Sequence, residues 1–264
     1  MAMATIGKPR FVFFRAVMAL MFREMSTTYG RSPGGYIWAF AEPVGGVAMM
    51  TVVFSMFIRS PPIGDNFPLY FASGILPFMM YQSTANKVTM AIRYSKTLLT
   101  YPRVTYIDAI MARFLLSAMT EIMIALLALG GIILIYGLKL NIDYWVCTQA
   151  VLMAVSLALG IGVVNCYLTS LISIWPSVWS VLNRPLFLIS GVFFLLDPLP
   201  EEARSFLLWN PLAHPIMMMR KGLFDTYDAV YASPSYVFTV SLCLGAIGML
   251  LLQRYHSIIL DEGM

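Results

Sequence analysis

The stretch Ile122–Tyr136, IMIALLALGGIILIY, contains no charged residue and decides the fold. A helix needs about 20 mostly apolar residues to cross the hydrocarbon core of a bilayer. Upstream from Ile122, only Glu121, Arg113 and Asp108 interrupt the apolar run, so a span of about 108–137 follows. The rest of the chain repeats the pattern. Hydrophobic residues make up 59% of the 264 and charged residues only 11%, against about 25% charged in an ordinary soluble domain. The chain is therefore an all-α integral membrane protein, because hydrocarbon leaves no water to satisfy a backbone that is neither helical nor a closed barrel.

Six spans are predicted, at about 36–58, 67–90, 108–137, 144–173, 178–196 and 235–252, all in one transmembrane domain covering 1–264. Residues 10–29 form a separate element. Phe11, Phe14, Met18, Met21, Phe22 and Met25 share one helical face, while Arg10, Arg15, Arg23 and Glu24 interrupt the segment too often for a span. The pattern is that of an amphipathic helix lying in the membrane interface. Between the fifth and sixth spans, residues 197–234 are punctuated by Asp197-Pro198, Asn210-Pro211 and His214-Pro215. The Phe206–Trp209 stretch there is too short to cross and too apolar for water, which suits re-entrant segments buried against protein.

Lys and Arg set the orientation. With the N-terminus inside, Lys8, Arg10, Arg15, Arg23, Arg31, Arg93, Lys96, Arg103, Arg113, Arg184 and Arg254 fall on the inner side. Arg59, Lys139, Arg204, Arg220 and Lys221 fall outside, so both termini are expected in the cytoplasm. The net charge of +4 is thereby explained by topology and does not point to nucleic acid. Cys147, Cys166 and Cys243 all lie in apolar segments and read as small buried residues. No phosphate loop, HExxH, GxSxG or Cys-x-x-Cys occurs, and His214 and His256 are far apart. No metal site and no catalytic residue is expected, and no internal repeat supports a two-repeat carrier.

The polar exceptions carry the functional reading. Glu42 and Glu121 lie inside spans, where an acid is costly and marks either function or helix pairing. Lys87, Arg113 and Arg184 lie near span ends and can reach the surface. The basic connection 91–106, AIRYSKTLLTYPRVTY, mixes Arg93, Lys96 and Arg103 with Tyr94, Leu98, Leu99, Tyr101 and Tyr106. A short helix ending before Pro102, with apolar anchors and a charged rim, fits docking on a partner as well as it fits a solvated loop. Tyr36, Trp38, Tyr70, Tyr81 and Trp209 lie near span ends, as an interfacial belt or as walls for a sugar chain.

Four pieces together resemble a known family. Arg23, Tyr29, Ser32, Gly35, Trp38 and Pro43, in the frame RxxxxxYxxSxxGxxWxxxxP, resemble the start of ABC-2 type permeases that export polysaccharides. LLTYPRVTYIDAIMAR (98–113) resembles their first cytoplasmic loop. SGVFFLLDPLP (190–200) and WNPLAHPIMMMR (209–220) resemble their fifth span and the re-entrant segment after it. The family's capsular polysaccharide export permeases of Gram-negative bacteria are most similar, and exporters of O-antigen, teichoic acid, lipid or drugs share the architecture. Gly30 stands where many relatives place a basic residue, with Arg31 one place later.

The resemblance implies a multi-pass subunit of the bacterial inner membrane that pairs with a second copy of itself and two ATP-binding cassette subunits. ATP and Mg would sit on those partners, with no cofactor on this chain. A lipid-linked acidic polysaccharide would be the cargo. A periplasmic co-polymerase-like protein and an outer-membrane exporter would continue the route. The ATPase-coupling helix maps onto Arg93, Tyr94, Lys96, Leu98, Leu99, Tyr101 and Arg103. The interface helix and the first two spans supply the candidate gate and pathway residues Arg10, Arg15, Arg23, Arg31, Tyr36, Trp38, Glu42, Tyr70 and Tyr81. The re-entrant segment contributes Asp197, Trp209, Asn210, Pro211, His214 and Arg220. A proton-coupled carrier working through Glu42 or Glu121, or a lipid-modifying enzyme using scattered acids, are the competing expectations.

Overall fold

A computed structural model describes residues 12–28, 35–99 and 105–261, and the described residues are helical with no strand. In chain order the helices are α1 (Val12–Thr28), α2 (Gly35–Phe57), α3 (Phe67–Thr89), α4 (Ala91–Leu99), α5 (Tyr106–Tyr136), α6 (Tyr144–Leu171), α7 (Trp175–Ile189), α8 (Glu201–Leu208), α9 (Ala213–Leu223) and α10 (Pro234–Asp261). Four of them, α2, α5, α6 and α10, are long and apolar enough to cross a membrane. The 23 residues of α3 would reach about 34 Å at the α-helical rise, but Gln82, Asn86 and Lys87 dilute its apolar character.

Local chemistry fixes the helix ends. The Asn66 side chain accepts from the Leu69 N–H at 3.0 Å and opens α3. Thr105 and Asp108 form a reciprocal capping box on α5. The Asp108 N–H donates to Thr105 Oγ1 at 3.3 Å and the Thr105 N–H donates to Asp108 Oδ2 at 2.8 Å. Thr105 is the cap and Asp108 the third residue of α5, so the predicted span start at about 108 lies within two residues of the helix start at Tyr106. Gly137, at φ +60°, closes α5 in the left-handed conformation. Asp143 caps α6 through the Trp145 and Val146 N–H groups.

The core is built around α3, whose residues from Leu69 to Phe78 are all buried. It packs against α5, α6 and α9. The most extensive helix pair is α6 with α10, and small residues permit it. A side-chain carbon at Gly160 would lie 2.5 Å from the Ser241 carbonyl oxygen, and one at Gly248 would lie 2.8 Å from the Val164 nitrogen. Lipid tails give helices no hydrophobic reason to associate, so close backbone approach and its dispersion contacts must hold them together.

The fifth predicted span, 178–196, is divided. Helix α7 ends at Ile189, and Gly191 turns the chain at φ +76°. Its 15 residues cover about 22 Å, less than the roughly 30 Å hydrocarbon thickness. The apolar run continues past Ile189 because 190–196 packs into the protein, with Val192 and Leu196 buried. Helix α7 is held mainly by aromatic contacts, Phe187 with Phe78 at 4.8 Å and with Phe193 at 5.0 Å. Beyond it, α8 and α9 are short, eight and eleven residues. Nine consecutive residues, Leu212–Arg220, are buried. Cys166 is buried, as expected, but Cys243 is exposed on α10, a correction that follows from its place opposite the α6 contact.

Candidate functional site

Three polar clusters stand out against the apolar framework, one at each end of the bundle and one between α2, α3 and α5.

At the first end, α4 is a nine-residue helix whose inner face is fixed. Ala91 and Ile92 are buried in one cluster with Val88, Ile110, Val163, Cys166 and Leu252, and α4 is seated on α3, α5 and α6. Arg93 and Tyr94 point outward and are exposed. Helix α4 is described as far as Leu99, and the predicted stop before Pro102 lies outside the described residues. The side chains of Lys96, Leu98 and Leu99, and the whole of Tyr101 and Arg103, lie outside the described residues. Beside α4, α1 lies on α5, with Val17 and Met21 buried against Ala112. The periodicity had placed Phe14, Phe22 and Met25 on the same face as Met21, yet all three are exposed. Helix α1 is apolar around most of its circumference, and α5 covers only a narrow stripe. Arg15 and Arg23 are exposed at this end, whereas Arg10 and Arg31 lie outside the described residues.

Arg113 of α5 is not a surface-seeking cation. Its Nη2 donates to Glu24 Oε2 on α1 at 2.9 Å. Its guanidinium carbon lies 4.9 Å from the centre of the Tyr94 ring on α4.

Between the helices, Glu121 meets partners that sequence spacing did not reveal. Its carboxyl group lies beside the Ser83 side chain and within electrostatic reach of Lys87 and Glu42. Thr84 and Ser117 share a hydrogen bond of 3.2 Å alongside. The two membrane acids, read from sequence as isolated, belong to one cluster with Lys87. Glu42 is exposed at the edge of this cluster, one helical turn after Trp38, which is 72% exposed. Tyr70 and Tyr81 stand apart from these two, fully buried in the chain's own core. The Tyr36 side chain lies outside the described residues.

The second end is organised by Arg220. It has no exposed surface, although an arginine is almost never fully buried without compensation. Its Nη1 donates to the Phe194 carbonyl at 3.0 Å and its Nη2 to the Val192 carbonyl at 2.8 Å. The guanidinium carbon lies 4.6 Å from the Tyr70 ring centre, and the charge interacts with Asp197. Asp197 in turn accepts from the Tyr227 hydroxyl. Gly74 makes this approach possible, since a side-chain carbon there would lie 3.2 Å from the Val192 backbone and 3.3 Å from Arg220 Nη2. Burial and the carboxylate beside it push the Tyr227 hydroxyl well above its usual range.

The other predicted residues of this segment join the same structure. Asn210 donates to Ser190 Oγ at 3.0 Å and accepts from the Leu212 N–H at 3.1 Å. His214 Nδ1 accepts from the Ser233 N–H at 3.1 Å, which places the ring proton on Nε2, 3.0 Å from the Leu208 carbonyl. Pro211 is half-buried between Asn210 and Leu212. Trp209 is exposed at the rim, and its carbonyl accepts from the Tyr236 hydroxyl at 2.9 Å. Trp209, Leu208, His214, Tyr236 and Ser205 line a cavity of about 310 Å³. Sequence reading missed Tyr227 and Tyr70 as partners of Arg220. The available signal was Gly74, which ends the small-residue stretch Ala72-Ser73-Gly74 between bulky neighbours.

His214 gives this segment a pH dependence. Burial lowers its pKa below 6.5, so the folded protein holds the ring neutral while the unfolded chain takes up a proton. Stability is fully present above pH 6.5 and is lost as pH falls through the lowered folded value. The melting temperature in detergent is therefore expected to drop between pH 7 and pH 5, and to drop less in His214→Gln. Equal pH slopes in the two proteins would remove His214 from this role.

Among the described residues the polar side chains thus gather into a buried arginine hub, the surroundings of α4 and a charged cluster within the bundle. Among the described residues no group of His, Cys, Asp and Glu is arranged to hold a metal ion. Comparison with known proteins agrees on a transport component. The chain is 27% identical to the capsule polysaccharide export inner-membrane protein CtrC of Neisseria meningitidis serogroup A, over 91% of both chains. It is 27% identical to the protein of the same description, BexB, of Haemophilus influenzae, over 91% of both. It is 28% identical to the polysialic acid transport protein KpsM of Escherichia coli, over 93% of this chain and 95% of the relative. The family model described as ABC-2 type transporter matches residues 15–224, four-fifths of the sequence, and the chain belongs to that membrane family.

Proposed function

We propose that this chain is the membrane-spanning subunit of an ATP-driven exporter that moves a lipid-linked, acidic polysaccharide of the capsular kind across the bacterial inner membrane. The observation that carries the reading is similarity over nine-tenths of both chains to proteins named for capsule polysaccharide export. In this reading the six spans are α2, α3, α5, α6, α10 and, as the fifth in chain order, α7 continued by residues 190–196; α8 and α9 are re-entrant, and both termini face the cytoplasm.

A polysaccharide cannot cross hydrocarbon unshielded, because each unpaired hydroxyl costs several kcal/mol there, roughly 2–7. One copy of the chain keeps Tyr70 and Tyr81 in its packed core and leaves Trp38 and Glu42 exposed. The shielded path therefore forms between two copies, with Trp38 and Glu42 on its wall. Arg15 and Arg23 on α1 gather the anionic head group or acidic sugar at the cytoplasmic edge. Two ATP-binding subunits, which carry the ATP and Mg, dock on α4. Their closure displaces α4, and its seat on α3, α5 and α6 passes the displacement to the bundle. ATP drives the change because the nucleotide binds the two arrangements with different affinity. A periplasmic co-polymerase-like protein and an outer-membrane exporter complete the route.

The test is export in cells whose proton gradient is collapsed while ATP is held constant. Surface polysaccharide is expected to continue at its normal rate, and to stop with polymer accumulating inside when the gene is deleted. Export that ceases on collapse alone would transfer the reading to a proton-coupled carrier built on Glu42, Lys87 and Glu121.

A further inference from the structure

Arg113 connects two elements that the mechanism above uses separately. It projects from α5 and touches α1 through Glu24 and α4 through Tyr94. We propose that Arg113 is a positioning residue for coupling: it holds α1 and α4 as one body with the start of α5, so that movement delivered to α4 reaches α1 at the membrane surface. This rests on the reading of α4 as the helix on which the ATP-binding subunit docks.

The geometry favours a directional link over simple packing. The apolar part of the α1–α5 contact, Val17 and Met21 on Ala112, is non-directional and would let α1 slide. An ion pair has a defined partner and so fixes the register. The pair is also partly withdrawn from water, with the Arg113 and Glu24 side chains 11% and 26% exposed. Screening is weaker there than at an open surface. The guanidinium serves both neighbours at once because it is planar. Its edge donates to the carboxylate while the group sits over the aromatic ring, a combination an ammonium does not reproduce. Tyr94 is 67% exposed on its other side, in the position where a docked partner would press. Pressure on that ring acts on Arg113, and through Glu24 on α1. The N-terminal helix, whose Phe13, Phe14 and Phe22 are exposed, then shifts with α4 instead of lagging behind it.

The test uses the full transporter with its ATP-binding subunit and reads polymer exported per ATP hydrolysed. Arg113→Gln is expected to keep the ATP-binding subunit bound and hydrolysing, while export per ATP falls about tenfold, the scale of one interacting pair. Glu24→Gln is expected to show the same loss and serves in place of Arg113→Gln should the latter misfold. Exchanging the charges, Glu24→Arg with Arg113→Glu, is expected to raise export per ATP above either single variant. A purely structural role would lower the amount of folded protein and leave the ratio unchanged, and that result overturns the proposal. So does an exchanged pair no better than the single variants. Failure of the underlying reading looks different: the native chain itself would then bind no ATP-hydrolysing subunit, and proposal and reading would fall together.

Discussion

Arg220→Leu is expected to unfold at a much lower temperature than the native protein in mild detergent. Replacing a complete buried ion pair by apolar groups is often neutral, but this change removes one member and leaves the others in place. The Val192 and Phe194 carbonyls lose their donors at 2.8 and 3.0 Å. Asp197 loses the nearby positive charge, and Tyr70 loses the cation over its ring. Uncompensated groups of this kind cost about 3–5 kcal/mol together, against a total stability of about 5–15 kcal/mol for a domain. Arg220→Lys should fall between, since an ammonium carries the charge but lacks the fork that serves two carbonyls and the plane that lies on Tyr70. Thermal unfolding and size-exclusion profiles of the three proteins check the order. An Arg220→Leu protein with native unfolding temperature would show that the 190–200 turn holds without the hub.

The second large effect is expected at Gly160, where α6 and α10 touch. A valine there would place its first side-chain carbon 2.5 Å from the Ser241 carbonyl oxygen and 3.1 Å from the Ser241 Cα. Both obstructing atoms are backbone, so no rotamer change relieves the clash. Helix α10 must move away, opening the contact that Gly248 makes with Val164 one face along. Overpacking of this kind costs typically about 1–3 kcal/mol or more, and it falls on the most extensive helix pair in the molecule. Gly130→Ala is the matched control, because nothing lies within 4 Å of its added carbon. Relative to native protein, Gly160→Val should unfold at a clearly lower temperature and Gly130→Ala should not. Equal behaviour of the two would contradict the close packing of α6 on α10.

What the sequence displayed follows from what membranes demand. Uninterrupted apolar runs such as Ile122–Tyr136 have one physical explanation, and α2, α5, α6 and α10 lie where those runs predicted. The short α4 was legible because Arg93 and Tyr94 alternate with Ala91, Ile92 and Ser95. Pairings across distant parts of the chain were not legible. Arg220 was counted as a loop cation, yet it is buried against Tyr70, 150 positions earlier. Glu121 and Glu42 seemed isolated until α3 brought Lys87 and Ser83 beside them. Arg113 was assigned to the membrane surface because nothing in local spacing points to Glu24. The end of α7 was misplaced by seven residues for a related reason: hydropathy registers burial in protein and burial in lipid alike, so Val192 and Leu196 extended the apparent span.

Helix α4 is a short helix seated on α3, α5 and α6, and the central claim is that an ATP-binding subunit works it. The direct measurement is purification of the tagged chain from its native membrane in mild detergent, with and without cross-linking, followed by protein mass spectrometry. The account predicts an ATP-binding cassette subunit in equal amount, released by Leu99→Pro in α4. A chain that comes down alone, even after cross-linking, would contradict it.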